Sequence, residues 1–312
     1  MFKINQVPKR FFKSAVKHLA SGSDNFANDL QFYRDAVRNL HSDDFIFCWS
    51  TCSNVPVAAV LIVKFPGKVG FLYHSRLDSQ ATDHDQLAKT IDFAKQIAFS
   101  QGISFIQLVI EPDQKYWSNW LNNAGFTFIA DIHHMRYDLQ GRQNQANLQA
   151  LLSKNGYVNA NRYKVVPASM LSKDQLAKLI AKTYENSLDC PIAARYRPAS
   201  DSLETHINTG NFMPDWWSVA TIDNKPVGCA LVNFIEEANS GQLVYLGVVN
   251  NRRKLGIANN LIRRSMQILI ANSVQYFELS VDAKNHLAIR VYRNIGFQIQ
   301  AIKSCFALFK TV

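Results

Sequence analysis

Three consecutive cations, Arg252, Arg253 and Lys254, stand just before a glycine, Gly256, and the small residue Ala258. An apolar run rich in β-branched residues ends at Val249, ahead of this polar loop. Apolar residues at helical spacing follow it: Ile257, Leu261, Ile262, Met266 and Leu269. The pattern predicts a strand, a loop and the first turn of a helix. A helix start has unpaired N–H groups and a partial positive charge. Gly256 and Ala258 are small enough to let an anion approach that backbone. The chemistry implied is the cradling of a pyrophosphate.

A second cluster stands about thirty residues further on. Leu279-Ser-Val-Asp-Ala-Lys-Asn285 is followed by Ala288, Tyr292 and Gly296-Phe297. The order Arg253-x-x-Gly256-x-Ala258, then strand, Asn, a Tyr-bearing helix and Gly-Phe resembles the GNAT N-acetyltransferases over roughly residues 160–311. The resemblance implies an acetyl-CoA-dependent transfer of an acetyl group to an amine, by direct attack in a ternary complex. It implies that strand backbone at Leu246, Val248 and Val249 holds the pantetheine and the acetyl oxygen. Backbone of Lys254, Leu255, Gly256, Ile257 and Ala258 would hold the pyrophosphate, with Arg253 of the motif a further cofactor-binding residue. Tyr292 would be the acid that protonates the departing thiolate, and Asn285 a cofactor contact, an N-cap for the Tyr292 helix, or both.

The amine side is less determined. Glu236 is the expected general base, set against the plainer reading of Glu236-Glu237 as a solvated turn; Glu278 is a second candidate. Tyr245, on the strand leading to the cradle, is expected to position the acceptor. Asp189 is expected to recognise a cationic acceptor, and Trp217 to wall its cleft unless it packs the sheet. Cys190 reads as a small structural cysteine.

These residues need a scaffold, and the sequence writes it twice. In the second half, strands are expected at 163–167, 217–222, 226–235, from near 242, and at 276–281. Helices are expected at 172–187, 199–209 and 286–294, and one or two strands at 297–309. Asp223-Asn224-Lys225 reads as a hairpin turn. In the first half, helices are expected at 25–40, 84–100 and 113–124, with strands at 45–51, 55–63, 69–74, 104–110 and 128–137. Phe126 and Phe297 each follow a glycine after a strand and a helix. The fold class expected is α/β (α+β): two tandem GNAT-like domains, each a mostly antiparallel twisted sheet flanked by helices. The expected division is 1–140, a Gln/Asn-rich linker over 141–160 with a short helix around 147–153, and 161–312.

The first repeat departs from the pattern where chemistry would sit. Between its strand and helix stands Ser75-Arg-Leu-Asp-Ser-Gln-Ala-Thr-Asp-His-Asp-Gln86. It has no Arg-x-x-Gly-x-Gly/Ala, and Asp78, Asp83 and Asp85 would repel a pyrophosphate. Leu121 stands where Tyr292 would, and Gln114 where Asn285 would. The first domain is therefore expected to be non-catalytic.

Composition narrows the function classes. The chain has 312 residues and a formal charge of +10, of which residues 1–150 carry +2 and residues 151–312 carry +8. The cationic excess lies in the half with the anion cradle. Long Lys/Arg runs and aromatic-basic interleaving are missing, so nucleic acid is not expected as a partner. No apolar run approaches the ~20 residues that span a bilayer. The five cysteines, at 48, 52, 190, 229 and 305, have no metal-ligand spacing and read as reduced thiols. The first 23 residues carry five cations and no acid, apt for a transit peptide or a basic-faced helix with Phe11, Phe12, Val16 and Leu19 inward. The helix is preferred, and the expected location is the cytoplasm. Expected partners are acetyl-CoA and a small-molecule or peptide amine. The rival reading is a protein that binds or senses acyl-CoA without turnover.

Overall fold

The structure, a computed structural model, describes residues 1–23, 25–141 and 163–310. The linker expected over 141–160 and its short helix lie outside the described residues, Gly141 apart. The chain forms two compact units: Met1–Phe128 with Cys305–Val312, and Ile129–Ser304.

In the first unit, β1 (Phe2–Gln6), β2 (Phe45–Cys52), β3 (Val55–Phe65) and β4 (Val69–His74) pair antiparallel in that order. The β2–β3 turn is Ser53-Asn54, both with positive φ, the geometry whose twist suits a two-residue hairpin. β4 then pairs parallel with β5 (Phe105–Ile110), which needs a crossover, supplied by α3 (His84–Ser100). α3 buries Leu87, Ile91, Ala94 and Ala98, one stripe at helical spacing, against Ile46, Val60 and Ile62 of the sheet. α1 (Phe12–Ala20) and α2 (Phe26–Asn39) pack with a second cluster holding Val16, Leu19, Phe47 and Leu61. The expected basic-faced helix is α1, with Val16 and Leu19 buried, although Phe11 is 40% exposed. β1 was not foreseen. Its alternation is weak because both faces are largely exposed, and it is fixed by pairing and by Trp49 Nε1 donating to Asn5 Oδ1 at 2.8 Å. A 3-10 turn and α4 (Ser118–Asn123) replace the single helix expected over 113–124.

In the second unit the strand order is the first part of β12 (Gln298–Phe309), β6 (Thr127–Asp138), β11 (Tyr276–Asp282), β10 (Ser240–Val248), β9 (Lys225–Ile235), β8 (Ser218–Ile222) and β7 (Lys164–Pro167). From β6 to β7 the pairings are antiparallel except β10 with β11, joined by the crossover α8 (Ile257–Ala271). The Asp223-Asn224 turn has positive φ at both residues, matching the hairpin read from sequence. Helices cover both faces. On one, α8 and α9 (His286–Ile295) bury Leu261, Met266, Ile289 and Tyr292 against Phe277, Leu279 and Val281. On the other, α5 (Lys173–Thr183) and α7 (Ala199–Ile207) bury Leu179, Ile180 and Leu203 against Val219, Cys229 and Leu231. A short α6 (Pro191–Tyr196) lies between them and was not foreseen, six residues being too few to show a period.

The units do not divide the chain at the linker. β6 passes into the second unit after Phe128, and β12 passes into the first after Ser304. Phe306 and Leu308 are part of the first unit's core, and Lys310 N donates to Ser104 O at 3.0 Å. Sequence order alone hides such an exchange, because both strands look continuous with their own repeat.

Candidate active site

The site begins where β10 and β11 part. Their parallel pairing runs from Ser240 and Tyr276 to Leu243 and Leu279 and is recorded no further. β10 continues against β9 to Val248, and β11 against β6 to Asp282. A register shift at Val244 marks the point of divergence. The strands thus splay, and a cavity of about 660 Å³ lies over the opening. Its walls come from β10 between Leu243 and Val248, from Leu279, Ser280 and Val281 of β11, from the start of α8, and from one side of α9.

One end of the cavity is the cradle. Lys254 and Gly256 both have positive φ, 63° and 78°, so the loop turns sharply into α8. No N–H in residues 254–259 donates to a backbone carbonyl among the described residues. A Cβ on Gly256 would meet nothing within 4 Å, so it would project into the open cradle. Arg252, Lys254, Ala258 and Arg290 line the same space. The residues present suit a polyphosphate: free N–H groups on a helix N-terminus, with cations around them.

Arg253 serves the cradle differently from the expectation. Its guanidinium donates to four carbonyls: Val248 at 3.1 Å, Thr183 at 3.0 Å, Glu185 at 2.8 Å and Asn186 at 2.7 Å. It also reaches Asn250 Oδ1 at 3.2 Å. The side chain therefore ties the loop to the end of α5 at Thr183 and to the turn after it, where the helix's partial negative charge lies. Its fork is engaged by protein and its N–H donates to Asn250 O at 3.3 Å, so it braces the loop behind the cradle.

At the other end, residues 184–189 and β11 are stapled together. Asp282 N donates to Asp189 Oδ1 at 3.0 Å, and Cys190 N donates to Asp282 Oδ2 at 3.1 Å. Burial raises the Asp189 carboxyl above its usual range; the Asp282 N–H bond opposes this, the Asp282 charge adds to it, and a bond from the Asn285 side chain opposes it. Asn285 Oδ1 also accepts from Ala288 N at 3.2 Å, so it is the N-cap of α9 as well as a cavity residue.

Tyr292 reaches the cavity from α9 while its ring packs on Phe297. Burial, with the Asp189 charge adding, pushes its phenol well above the usual value. Tyr245 projects from β10 and shares a hydrogen bond with the Thr183 hydroxyl. Gly247 permits this contact, since a Cβ there would lie 2.6 Å from Thr183 Oγ1 and 2.8 Å from the Tyr245 hydroxyl. Tyr184 stands beside Tyr245 with ring centres 6.1 Å apart.

The structure therefore brings together Tyr292, Tyr245, Asp189, Asn285, Leu246, Val248, Lys254, Gly256, Ile257 and Ala258, with Arg253 behind them. It does not bring in four others. Val249 is turned to the sheet, its N–H bonded to Val227 O at 2.9 Å, and Leu255 packs against the core. Trp217 is buried at 3% exposure and donates to Asn233 Oδ1 at 2.8 Å, so it packs the sheet. Glu236 is exposed in the 3-10 turn Glu236–Ala238, before β10 begins. The splay opens at Val244, roughly 13 Å along that strand from Ser240 at ~3.3 Å per residue. The second base candidate, Glu278, is held by Arg136 at 2.7 Å and is not a cavity residue. Among cavity residues, Thr183, Tyr184 and Ser280 went unread, because each looks like an ordinary helix-end or strand residue in sequence.

Residues 180–297 match the acetyltransferase (GNAT) family. A 90-residue stretch is 32% identical to acetyltransferase SG1711 of Sodalis glossinidius (strain morsitans), covering 29% of this chain and 62% of that relative. Among solved structures, a GCN5-related N-acetyltransferase from Sphaerobacter thermophilus superposes with a TM-score of 0.59 at 14% identity, over 99% of this chain and 95% of that one. A tandem GNAT protein from the clavulanic acid biosynthesis pathway gives 0.53 at 11% identity, over 99% and 98%. Residues 180–297 thus carry the match to the GNAT family, and the fold of the whole chain is like that of the tandem GNAT protein.

Proposed function

We propose that this protein is an acetyl-CoA-dependent N-acetyltransferase whose second unit carries the reaction. The observation behind it is the splay of β10 from β11 over a cavity with an open helix N-terminus at one end and Tyr292 within. Acetyl-CoA would supply the activated acyl group. The N–H groups of residues 254 and 256–259 would hold its pyrophosphate, with Arg252, Lys254 and Arg290 balancing charge. Backbone of Leu246 and Val248, freed by the splay, would hold the pantetheine and polarise the acetyl carbonyl. Tyr292, kept protonated by burial, would donate to the sulfur as it leaves. The acceptor is proposed to be a small-molecule or peptide amine entering beside Tyr184, Tyr245 and Asp189, and attack is direct. No helix among the described residues is long and apolar enough to cross a membrane. The proposed setting is the cytoplasm, with no nucleic-acid or membrane partner.

Tyr292→Phe tests this reading. It removes one hydroxyl and little volume, so melting and CoA affinity should be retained. Turnover should fall on the order of a hundredfold, in kcat and not in KM. Undiminished turnover, with chemistry rate-limiting, would return Tyr292 to a packing role. Tight CoA binding with no acetylation of any amine would favour an acyl-CoA sensor.

A further inference from the structure

With Glu236 remote and Glu278 paired, the amine's proton needs another destination. Ser280 lines the cavity at the splay, on the strand that Tyr292 and Asp189 also flank. Its hydroxyl is 2.8 Å from Nδ1 of His134, its directly opposed partner on β6. We propose that Ser280 and His134 form the proton-accepting pair for the incoming amine, Ser280 touching the substrate and His134 acting through it. This assignment rests on the acyl-transfer reading above.

The alternatives in the cavity are less suited. Among the described residues Asp189 is the only carboxylate lining it, and its oxygens accept from Asp282 N and from the Asn285 side chain. Those bonds hold residues 184–190 to β11, and protonating the carboxyl would weaken them. The phenols of Tyr184 and Tyr245 are pushed up by burial, which leaves them protonated and poor bases. Ser280, by contrast, is exposed and lines the cavity, and His134 stands half-buried behind it.

The step balances as follows. The amine nitrogen bonds to the acyl carbon, and the C–S bond breaks. A proton on that nitrogen passes to Ser280 Oγ while the Ser280 proton passes to His134 Nδ1, which requires the imidazole's own proton to sit on Nε2. The departing sulfur takes its proton from Tyr292. Transfer from imidazolium to phenolate through water resets both groups. Residue 134 belongs to the half of the sequence that lacks a cradle, yet it lies in the second unit.

The test uses the full-length protein, saturating acetyl-CoA and a fixed panel of primary amines: an alkylamine, an amino sugar, an amino-acid amide and a short peptide. Thiol release is measured with the best amine. Ser280→Ala and His134→Ala should each lower kcat on the order of a hundredfold, with the KM for acetyl-CoA and the melting temperature unchanged. Ser280→Thr should keep most of the rate. Imidazole in the buffer should restore His134→Ala in part and Ser280→Ala not at all. Near-wild-type turnover of His134→Ala, or its loss without any recovery by imidazole, overturns the pair. Tyr292→Phe separates the two levels. If it is slow while His134→Ala is not, this assignment alone fails; if the wild-type protein releases no thiol with any amine, the acyl-transfer reading fails and takes the pair with it.

Discussion

The chain builds one crossover twice, β4-α3-β5 and β10-α8-β11, and finishes the two helix starts in opposite ways. In both, the parallel strands pair for only a few residues: Val69–Phe71 with Phe105–Gln107, and Ser240–Leu243 with Tyr276–Leu279. Before α3, Asp83 accepts from Gln86 N at 2.9 Å, so the helix carries its anion in its own sequence. The neighbouring Arg76 is closed on Asp78 at 2.9 Å. Beyond the paired segment, Leu108 and Ile110 are buried with Leu121, and Trp120 packs beside His74 and His84. Before α8 there is no side-chain cap: Gly256 takes that place, and the first-turn N–H groups face the cavity. One crossover satisfies itself, and the other leaves the same groups open. The lesson is that a binding site here is made by withholding a cap and a few core side chains.

The largest expected effect comes from closing the second crossover. Gly256→Val places a branched side chain in the cradle at a φ that L residues rarely adopt. In a thermal-shift measurement excess CoA should stabilise the wild-type protein and not this variant. A retained shift would break the contrast between the two helix starts. Next is Arg253→Ala, which strips the last turn of α5 of its donors. Chemical denaturation should show a loss on the order of 2 kcal/mol, and Arg253→Lys should recover little because one ammonium cannot match the fork. On the first crossover, Asp83→Ala should cost about 1 kcal/mol as a lost cap and should not create CoA binding, because the splay there is filled. Calorimetry reporting a second CoA per chain would undo the distinction.

Smallest near neutral pH, and growing only in acid, is a pH dependence in the second unit. Burial, with Arg197 adding, lowers the His206 imidazole to about 3, and its Nε2 is buried without a hydrogen-bond partner among the described residues. A depressed base stays neutral when folded and gains a proton when unfolded. Its neutral form therefore costs nothing above ~6.5, and stability falls as pH drops from there toward the folded value. His206→Phe should flatten that part of a denaturation-against-pH curve. An unchanged slope would assign the acid sensitivity elsewhere, His74 of the first unit being a buried, lowered imidazole too.

Much of this was legible in sequence because it depends on local pattern. The stripe Leu87, Ile91, Ala94, the Asp223-Asn224 turn and the Gly256 cradle are all written within one element or one loop. What escaped depends on long-range pairing. Arg253 reads as a phosphate ligand until α5 is seen to end beside it. Glu236 reads as a base until the length of β10 separates it from the splay. Trp217 reads as a cleft wall until Asn233 is found opposite its indole nitrogen. Ser280 and His134 are 146 positions apart and meet only through the β6–β11 register. Loop-to-strand staples such as Asp189 with Asp282 likewise leave no periodic trace.

The passage of β12 from the second unit into the first also sets an order of events during biosynthesis. Phe306 and Leu308, which the first unit needs for its core, emerge from the ribosome only after the whole second unit has been made. The half without a cradle is thus the half that must wait. Until the last strand arrives, β5 lacks its neighbour and exposes an unpaired edge, the kind of surface on which nascent chains aggregate or recruit chaperones.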